Sequence, residues 1–362
     1  MNKKIRLAAA LSAVALFAAA CGDEPEDETT AGDDETTAAT SDFLGCMVTD
    51  SGGVDDRSFN ASAWAGLEAA ESELGITADF VESNAETDFV PNIDQQVAKD
   101  CGIIVTVGFL LGDATAAAAT ANPEEQFAIV DFGYDPPLEN VKPLLFDTAQ
   151  AAFLAGYLAA GMTETGTVAT FGGINIPTVS IFMDGFADGI AHHNEAKGTD
   201  VQLLGWDKEA QNGSFTGDFQ NQANGQNLTN TFIQQGADII LPVAGPVGLG
   251  AAAAAEAAGN VKIIWVDSDG FESASQYAPL FLSSVLKRID NAVLDATSEA
   301  VDGAYSADPY VGTLENEGVG LAPYHDFEDE VPDELKQEID DLRQQIIDGE
   351  LTVESPSSPQ GG

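Results

Sequence analysis

The feature that most constrains this chain is a repeated alternation in which a run of four to six apolar residues is followed by one helical pattern, then by another such run. Gly45 to Thr49 reads as a short buried strand, and Phe59 to Leu74 as a helix with Trp64, Leu67 and Ala70 on one face. Asp79 to Glu82, a helix around Ile93 to Lys99, and Ile103 to Val107 complete a βαβ pattern. It continues through a helix from Asp113 to Ala121, a strand Phe127 to Asp131, a helix Thr148 to Met162 and a strand Thr167 to Phe171. The same reading gives helix Pro177 to Asn194, strand Val201 to Trp206, helix Phe219 to Gln235 and strand Ile239 to Pro242. Helix Val247 to Ala258, strand Lys262 to Asp267, strand Leu282 to Leu286 and a helix from Lys287 to Val301 follow. Such strands, separated by single helices, form parallel sheets covered on both faces. Roughly ten of them exceed one compact open sheet, so the expected fold is α/β with two doubly wound lobes. No internal sequence repeat is evident.

Charge excludes several functions. The 362 residues hold 60 acids against 13 lysines and arginines, a formal net charge of -47. Nine of the acids and three of the basic residues precede Phe43, so the remainder still carries 51 against ten. Nucleic acid needs a basic stripe that this chain lacks, and an anionic membrane surface would repel it. A salty external medium that screens self-repulsion suits such a surface.

The first 21 residues read as an export address, with Lys3, Lys4 and Arg6 ahead of an apolar stretch from Leu7 to Ala20. Cys21 follows Ala18-Ala19-Ala20, as in the lipobox of bacterial lipoproteins, although Ala18 stands where Leu is usual. Lipidation at Cys21 is therefore expected, with Gly22 to Asp42 as an acidic tether. Cys46 begins the first strand and Cys101 precedes the strand at Ile103, so neighbouring parallel strands would let this exported pair form a disulfide.

In doubly wound sheets, ligands sit beyond the carboxyl ends of the strands. Here those positions are polar, aromatic or glycine: Thr49-Asp50-Ser51-Gly52-Gly53, Gly108-Phe109, Asp131-Phe132-Gly133-Tyr134 and Phe171-Gly172-Gly173. Val243-Ala244-Gly245 and Asp267-Ser268-Asp269-Gly270 have the same character in the second half. A single Asp there is ordinarily a helix cap and a single Gly a tight turn, but their recurrence at one end of several strands points to a shared cleft. There is no phosphate loop, nucleophile elbow, zinc-protease motif or Cys-x-x-Cys, and the histidines His192, His193 and His325 read as surface or helix-end residues. No cofactor and no metal are expected.

Val48 to Asn60, Gln150 to Gly156 and Phe171-Gly172-Gly173 resemble the basic membrane protein family of bacterial lipoproteins, the substrate-binding components of ABC transporters typified by a purine nucleoside receptor. Phe182 to Phe186, Gln235 to Asp238, Val266 to Asp269 and Ser284 to Lys287 extend the resemblance, which covers Leu44 to about Asp326. It implies a type I periplasmic-binding-protein fold, two lobes joined by a hinge. The expected first lobe is 43–165 with about 282–310, the second 166–281 with about 311–349, and 350–362 is a disordered tail. The resemblance further implies that Phe59 and Phe215 sandwich an aromatic base, with Phe219 as the alternative to Phe215. Asp50 and Asp131 would bond the base or sugar edge, and Asp269 and Lys287 the ribose hydroxyls. Asn60, Gly108 and Gly245 complete the expected site. On its own, Lys287 also reads as a helix-start lysine that snorkels to solvent.

The expected protein is a monomeric, membrane-tethered binding protein for a neutral nucleoside, purine foremost, serving an ABC permease and its ATPase. A receptor for a sugar or other polar solute, an exported nucleoside hydrolase and a sensory lipoprotein are the alternatives.

Overall fold

The computed structural model describes residues 42–359, so the leader, Cys21 and nearly all of the tether lie outside the described residues. In chain order the first half contains β1 (Leu44–Thr49), α1 (Phe59–Leu74), β2 (Thr77–Val81), α2 (Phe89–Val97), β3 (Ile103–Val107), α3 (Gly112–Ala121), β4 (Phe127–Val130), β5 (Val141–Phe146) and α4 (Thr148–Met162). Next come β6 (Thr167–Gly172), α5 (Pro177–Lys197), β7 (Gln202–Leu204), the hairpin of β8 (Trp206–Asp207) and β9 (Asn212–Gly213), α6 (Gln222–Gln234), β10 (Ile239–Val243), α7 (Val247–Ala258), β11 (Lys262–Asp267), α8 (Gly270–Ser273) and β12 (Phe281–Lys287). The chain closes with α9 (Ile289–Val301), β13 (Tyr310–Gly312), β14 (Val319–Leu321) and α10 (Asp333–Ile347).

Two six-stranded sheets result, with orders β13-β5-β4-β3-β1-β2 and β14-β12-β11-β10-β6-β7. The orders match strand for strand. Every pairing is parallel except β14 against β12. β3, β4 and β10 are buried along their whole length, as strands covered on both faces must be, and this is why they read as largely apolar runs. Helix ends follow local chemistry: α5 starts on Pro177 and stops at Gly198, whose φ of 68° suits glycine.

Three segments cross between lobes. After β5 the chain passes at Asp147 into α4, whose Gly156 lies against the backbone of Phe186 in α5, so α4 belongs to the second lobe. After β12 it returns at Arg288 into α9, and Gly66 of α1 lies against the backbone of Asp290. The third crossing joins β13 to β14. The expected lobe boundaries are corrected accordingly: β12 pairs with β11 in the second sheet, and only α9 and β13 rejoin the first lobe.

Two other expectations change. β5 was absent from the sequence reading because Lys142 and Pro143 interrupt its apolar run; in the fold, Lys142 is buried and pairs with Glu299 of α9 at 2.9 Å. Much of the tail expected to be disordered is docked. Ser355 Oγ donates to Asp184 Oδ2 (2.6 Å) and Ser358 Oγ to Asp147 Oδ1 (2.9 Å), while residues 360–362 lie outside the described residues. Cys46 and Cys101 are joined by a disulfide, with their Cα atoms 6.0 Å apart, fastening the start of β1 to the turn before β3. Among the described residues no helix is long and apolar enough to cross a membrane.

Candidate functional site

The carboxyl ends of both sheets face one cavity of about 580 Å³ of empty space, part of it open to solvent. From the first lobe it is lined by Asp50, Phe59, Asn60, Gly108 and Asp131, and from the second by Gly245 and Lys287, all expected from sequence. Phe109, Phe182, Phe219, Asp56 and Asp267 also line it.

Each expected residue has a structural reason for its place. Asp50 is the first residue beyond β1, and Gly108 the first beyond β3. A Cβ on Gly108 would stand 2.5 Å from Asp50 Oδ2, and its φ of 122° is one that a side chain disfavours. Asp56 organises the start of α1: its carboxylate accepts from the backbone N–H groups of Ser58 (2.9 Å), Asn60 (2.8 Å) and Ala61 (3.0 Å). That fixes Phe59 and Asn60 at the helix N-terminus. Asn60 Nδ2 then donates to Asp50 Oδ1 (3.0 Å) and Asp56 Oδ2 (3.2 Å). Its Oδ1 is buried and has no hydrogen-bond partner among the described residues.

Lys287 is the cavity's ammonium. It is 2% exposed, which corrects the snorkelling reading, and its Nζ donates to Asp131 Oδ2 at 2.5 Å. The same Nζ stands 4.9 Å from the Phe59 ring centroid and 5.2 Å from that of Phe146, so aromatic faces replace part of its hydration. Asp131 and Asp267 both end strands with left-handed backbone, φ 72° and 67°. Such angles in non-glycine residues gather where a site imposes them.

Burial sets the acidity here. Asp50 is pushed up to about 8 by burial, with Asp56, Asp131 and Asp267 adding to the rise and Asn60 opposing it. Burial also raises Asp131, outweighing the Lys287 ammonium beside it. Asp267 is pushed up to about 6 by burial, against Lys287 and the Ser58 hydroxyl. Asp56 is raised by burial as well, opposed by its backbone donors.

Two sequence expectations fail on placement. Phe215 does not line the cavity; its ring packs on Gly172 and meets Trp206 edge-on with centroids 6.1 Å apart. Phe219, the alternative, lines it and packs on Gly173, where a Cβ would stand 2.3 Å from the ring. The Gly172-Gly173 pair therefore serves as a floor for two phenylalanines. Residue 219 also precedes α6 instead of opening it. Asp269 is turned away as well. It caps α8 by accepting from Phe271 N (3.1 Å) and pairs with His325 Nε2 at 2.6 Å. Asp267, two residues earlier, takes the cavity position. Its signal was present: like Asp131, it is the acid that closes an apolar strand. Phe182 was not among the expected site residues, and nothing in its spacing on α5 distinguishes it.

The lobes touch at the rim of this cavity. Ser58 Oγ donates to Asp267 Oδ2 (2.5 Å), while Trp265 Nε1 and Ser268 Oγ donate to the carbonyl of Arg57 at 3.3 and 3.0 Å. These three hydrogen bonds join one lobe to the other. What this arrangement offers is a cavity with aromatic faces, carboxyl groups and one ammonium, contributed by both lobes.

Comparison with known proteins agrees. The profile of the Bmp family, ABC transporter substrate-binding protein PnrA-like, matches residues 43–357. A CD4+ T-cell-stimulating antigen of Listeria innocua is 30% identical over 99% of this chain and 100% of its own. The ABC transporter nucleoside-binding protein BmpA of Lactococcus lactis is 30% identical over 87% of this chain and 90% of its own. Among solved structures, an ABC transporter solute-binding protein of Aeropyrum pernix superposes with a TM-score of 0.79 at 25% identity, covering 87% of this chain and 94% of the other. The chain belongs to the Bmp family of PnrA-like ABC transporter substrate-binding proteins, and its role is to bind a solute, not to transform one.

Proposed function

We propose that the solute is a neutral nucleoside, a purine nucleoside foremost. One observation carries this reading: Phe59 of the first lobe and Phe219 of the second line the same cavity as the strand-end carboxyl groups of Asp50, Asp131 and Asp267. Ring faces suit a flat base, with stacking worth about 1–3 kcal/mol per base in other base-binding proteins. Carboxyl groups suit the N–H groups of a base and the hydroxyls of a ribose. In this reading Asp267, in place of Asp269, holds ribose hydroxyls together with Lys287. A phosphate is disfavoured, because the cavity sets several acids against one ammonium. The name of the Lactococcus relative points the same way.

Binding would proceed by closure. Each lobe contributes part of the lining, so a ligand touching both favours the closed state, and that state is presented to a permease coupled to a separate ATPase. Export and acylation at Cys21 would hold the receptor at the outer face of the membrane. Calorimetric titration of the mature chain with adenosine, inosine, guanosine, sugars and amino acids tests the reading. Saturable binding of a nucleoside, with the nucleoside recovered intact, supports it. Binding of a sugar or amino acid with no nucleoside response replaces it.

A further inference from the structure

We propose that Asp50 is a neutral carboxylic acid in the closed cleft and offers the ligand an O–H donor, so that ligand binding takes up one proton from solution. The inference rests on the nucleoside reading and deepens it.

The geometry isolates Asp50. Four carboxyl groups, Asp50, Asp56, Asp131 and Asp267, line the cavity with a single cation, Lys287. The other three acids have strong partners: Asp131 the ammonium itself, Asp56 three backbone N–H groups, and Asp267 the Ser58 hydroxyl. Asp50 has one side-chain donor, the Asn60 amide, and shares it with Asp56. The remaining neighbours supply no charge: Gly108 beyond β3 and Gly245 and Pro246 before α7. No arginine or histidine is among the described residues that line the cavity. A buried carboxylate with one shared donor and three acids nearby is relieved by binding a proton, in accord with its acidity being shifted to about 8.

The proton has a defined place. Asn60 Nδ2 donates to Oδ1, which leaves Oδ2, the oxygen against Gly108, to carry the hydrogen. The buried, unpartnered Oδ1 of Asn60 stands ready as an acceptor. The O–H of a neutral Asp50 suits a ring nitrogen or carbonyl on a base edge.

The sign of the pH dependence follows. In an open, hydrated cleft Asp50 returns toward the ordinary carboxylate range, whereas closure holds it near 8. Affinity is then highest where the acid is protonated and falls as pH rises toward about 8, by up to ~tenfold per pH unit. Asp267, near 6, adds an uptake of its own only at lower pH.

The test is calorimetry of the wild-type chain with adenosine, which has no group titrating near neutrality, in phosphate and in Tris at about pH 7. The difference in binding enthalpy between buffers counts protons, and close to one per adenosine is expected. In Asp50→Asn, which carries the amide analogue of the neutral acid, the count should fall to near zero and the pH profile should flatten. Adenosine binding with equal enthalpy in both buffers and an affinity flat across this range overturns the inference while leaving the ligand class standing. No binding by any nucleoside overturns both.

Discussion

The two lobes share one frame and use it differently. Strand for strand, the sheets have the same order, so the residues beyond β1, β3, β4 and β5 have counterparts beyond β6, β10, β11 and β12. Asp131 corresponds to Asp267, an acid in left-handed backbone in both lobes. Elsewhere the pairs diverge: Asp50 faces Gly173 across the correspondence, and Phe146 faces Lys287. The first lobe thus supplies three of the four carboxyl groups, Asp50, Asp56 and Asp131, with the rings of Phe59 and Phe109, and the fourth carboxyl, Asp267, comes from the second lobe. The second supplies the ammonium and a backbone bare enough for Phe219 to lie on. In the proposed mechanism a site divided this way is complete only when the lobes close, which would couple ligand capture to lobe movement.

Substitutions that remove one side of this division should reveal it, beginning with the ion pair between lobes. Lys287→Met leaves Asp131 buried without its cation and is expected to lower stability by about 3–5 kcal/mol, read from the urea midpoint; adding Asp131→Asn should restore part of it. Next is the feature confined to the first lobe. Replacing Cys46 and Cys101 together by Ser removes a disulfide spanning 55 residues and should cost about 2–4 kcal/mol of stability with affinity unchanged. The rings come third. Phe59→Ala and Phe219→Ala should each weaken nucleoside binding by about tenfold or more, as loss of a stacking face implies, whereas Phe215→Ala should change affinity less than about threefold. Equal losses at 215 and 219 would erase the distinction drawn between them. Smallest is Ser58→Ala, which deletes the hydroxyl reaching Asp267 across the cleft; about 1 kcal/mol, or roughly fivefold in affinity, is expected by calorimetry.

Much of this was legible in the sequence because parallel strands buried on both faces leave unbroken apolar runs, and because a ligand must sit where those runs end. α1 was located to the residue as a single helix between clear strands, and α4 to the residue although the strand before it was missed. What escaped depended on long-range partners. β5 hid behind Lys142, whose charge is answered by Glu299 far along the chain. The lobe boundary was misplaced because α4 packs against the lobe opposite the sheet it leaves and β12 pairs with β11, choices made by tertiary contact. Asp269 was assigned by the family resemblance, and the His325 partner that turns it away is remote in sequence. The tail composition of Ser, Pro and Gly says disorder, yet Asp184 and Asp147 accept its hydroxyls.

The central claim is that a cleft closed by two unlike lobes grips an uncharged, flat, hydroxyl-bearing solute. Parallel calorimetric titrations with guanosine and with guanosine 5′-monophosphate address it most directly. The account predicts that the nucleoside binds at least ~100-fold more tightly, because the phosphate would enter a cavity dominated by acids. Equal or tighter binding of the monophosphate would contradict it.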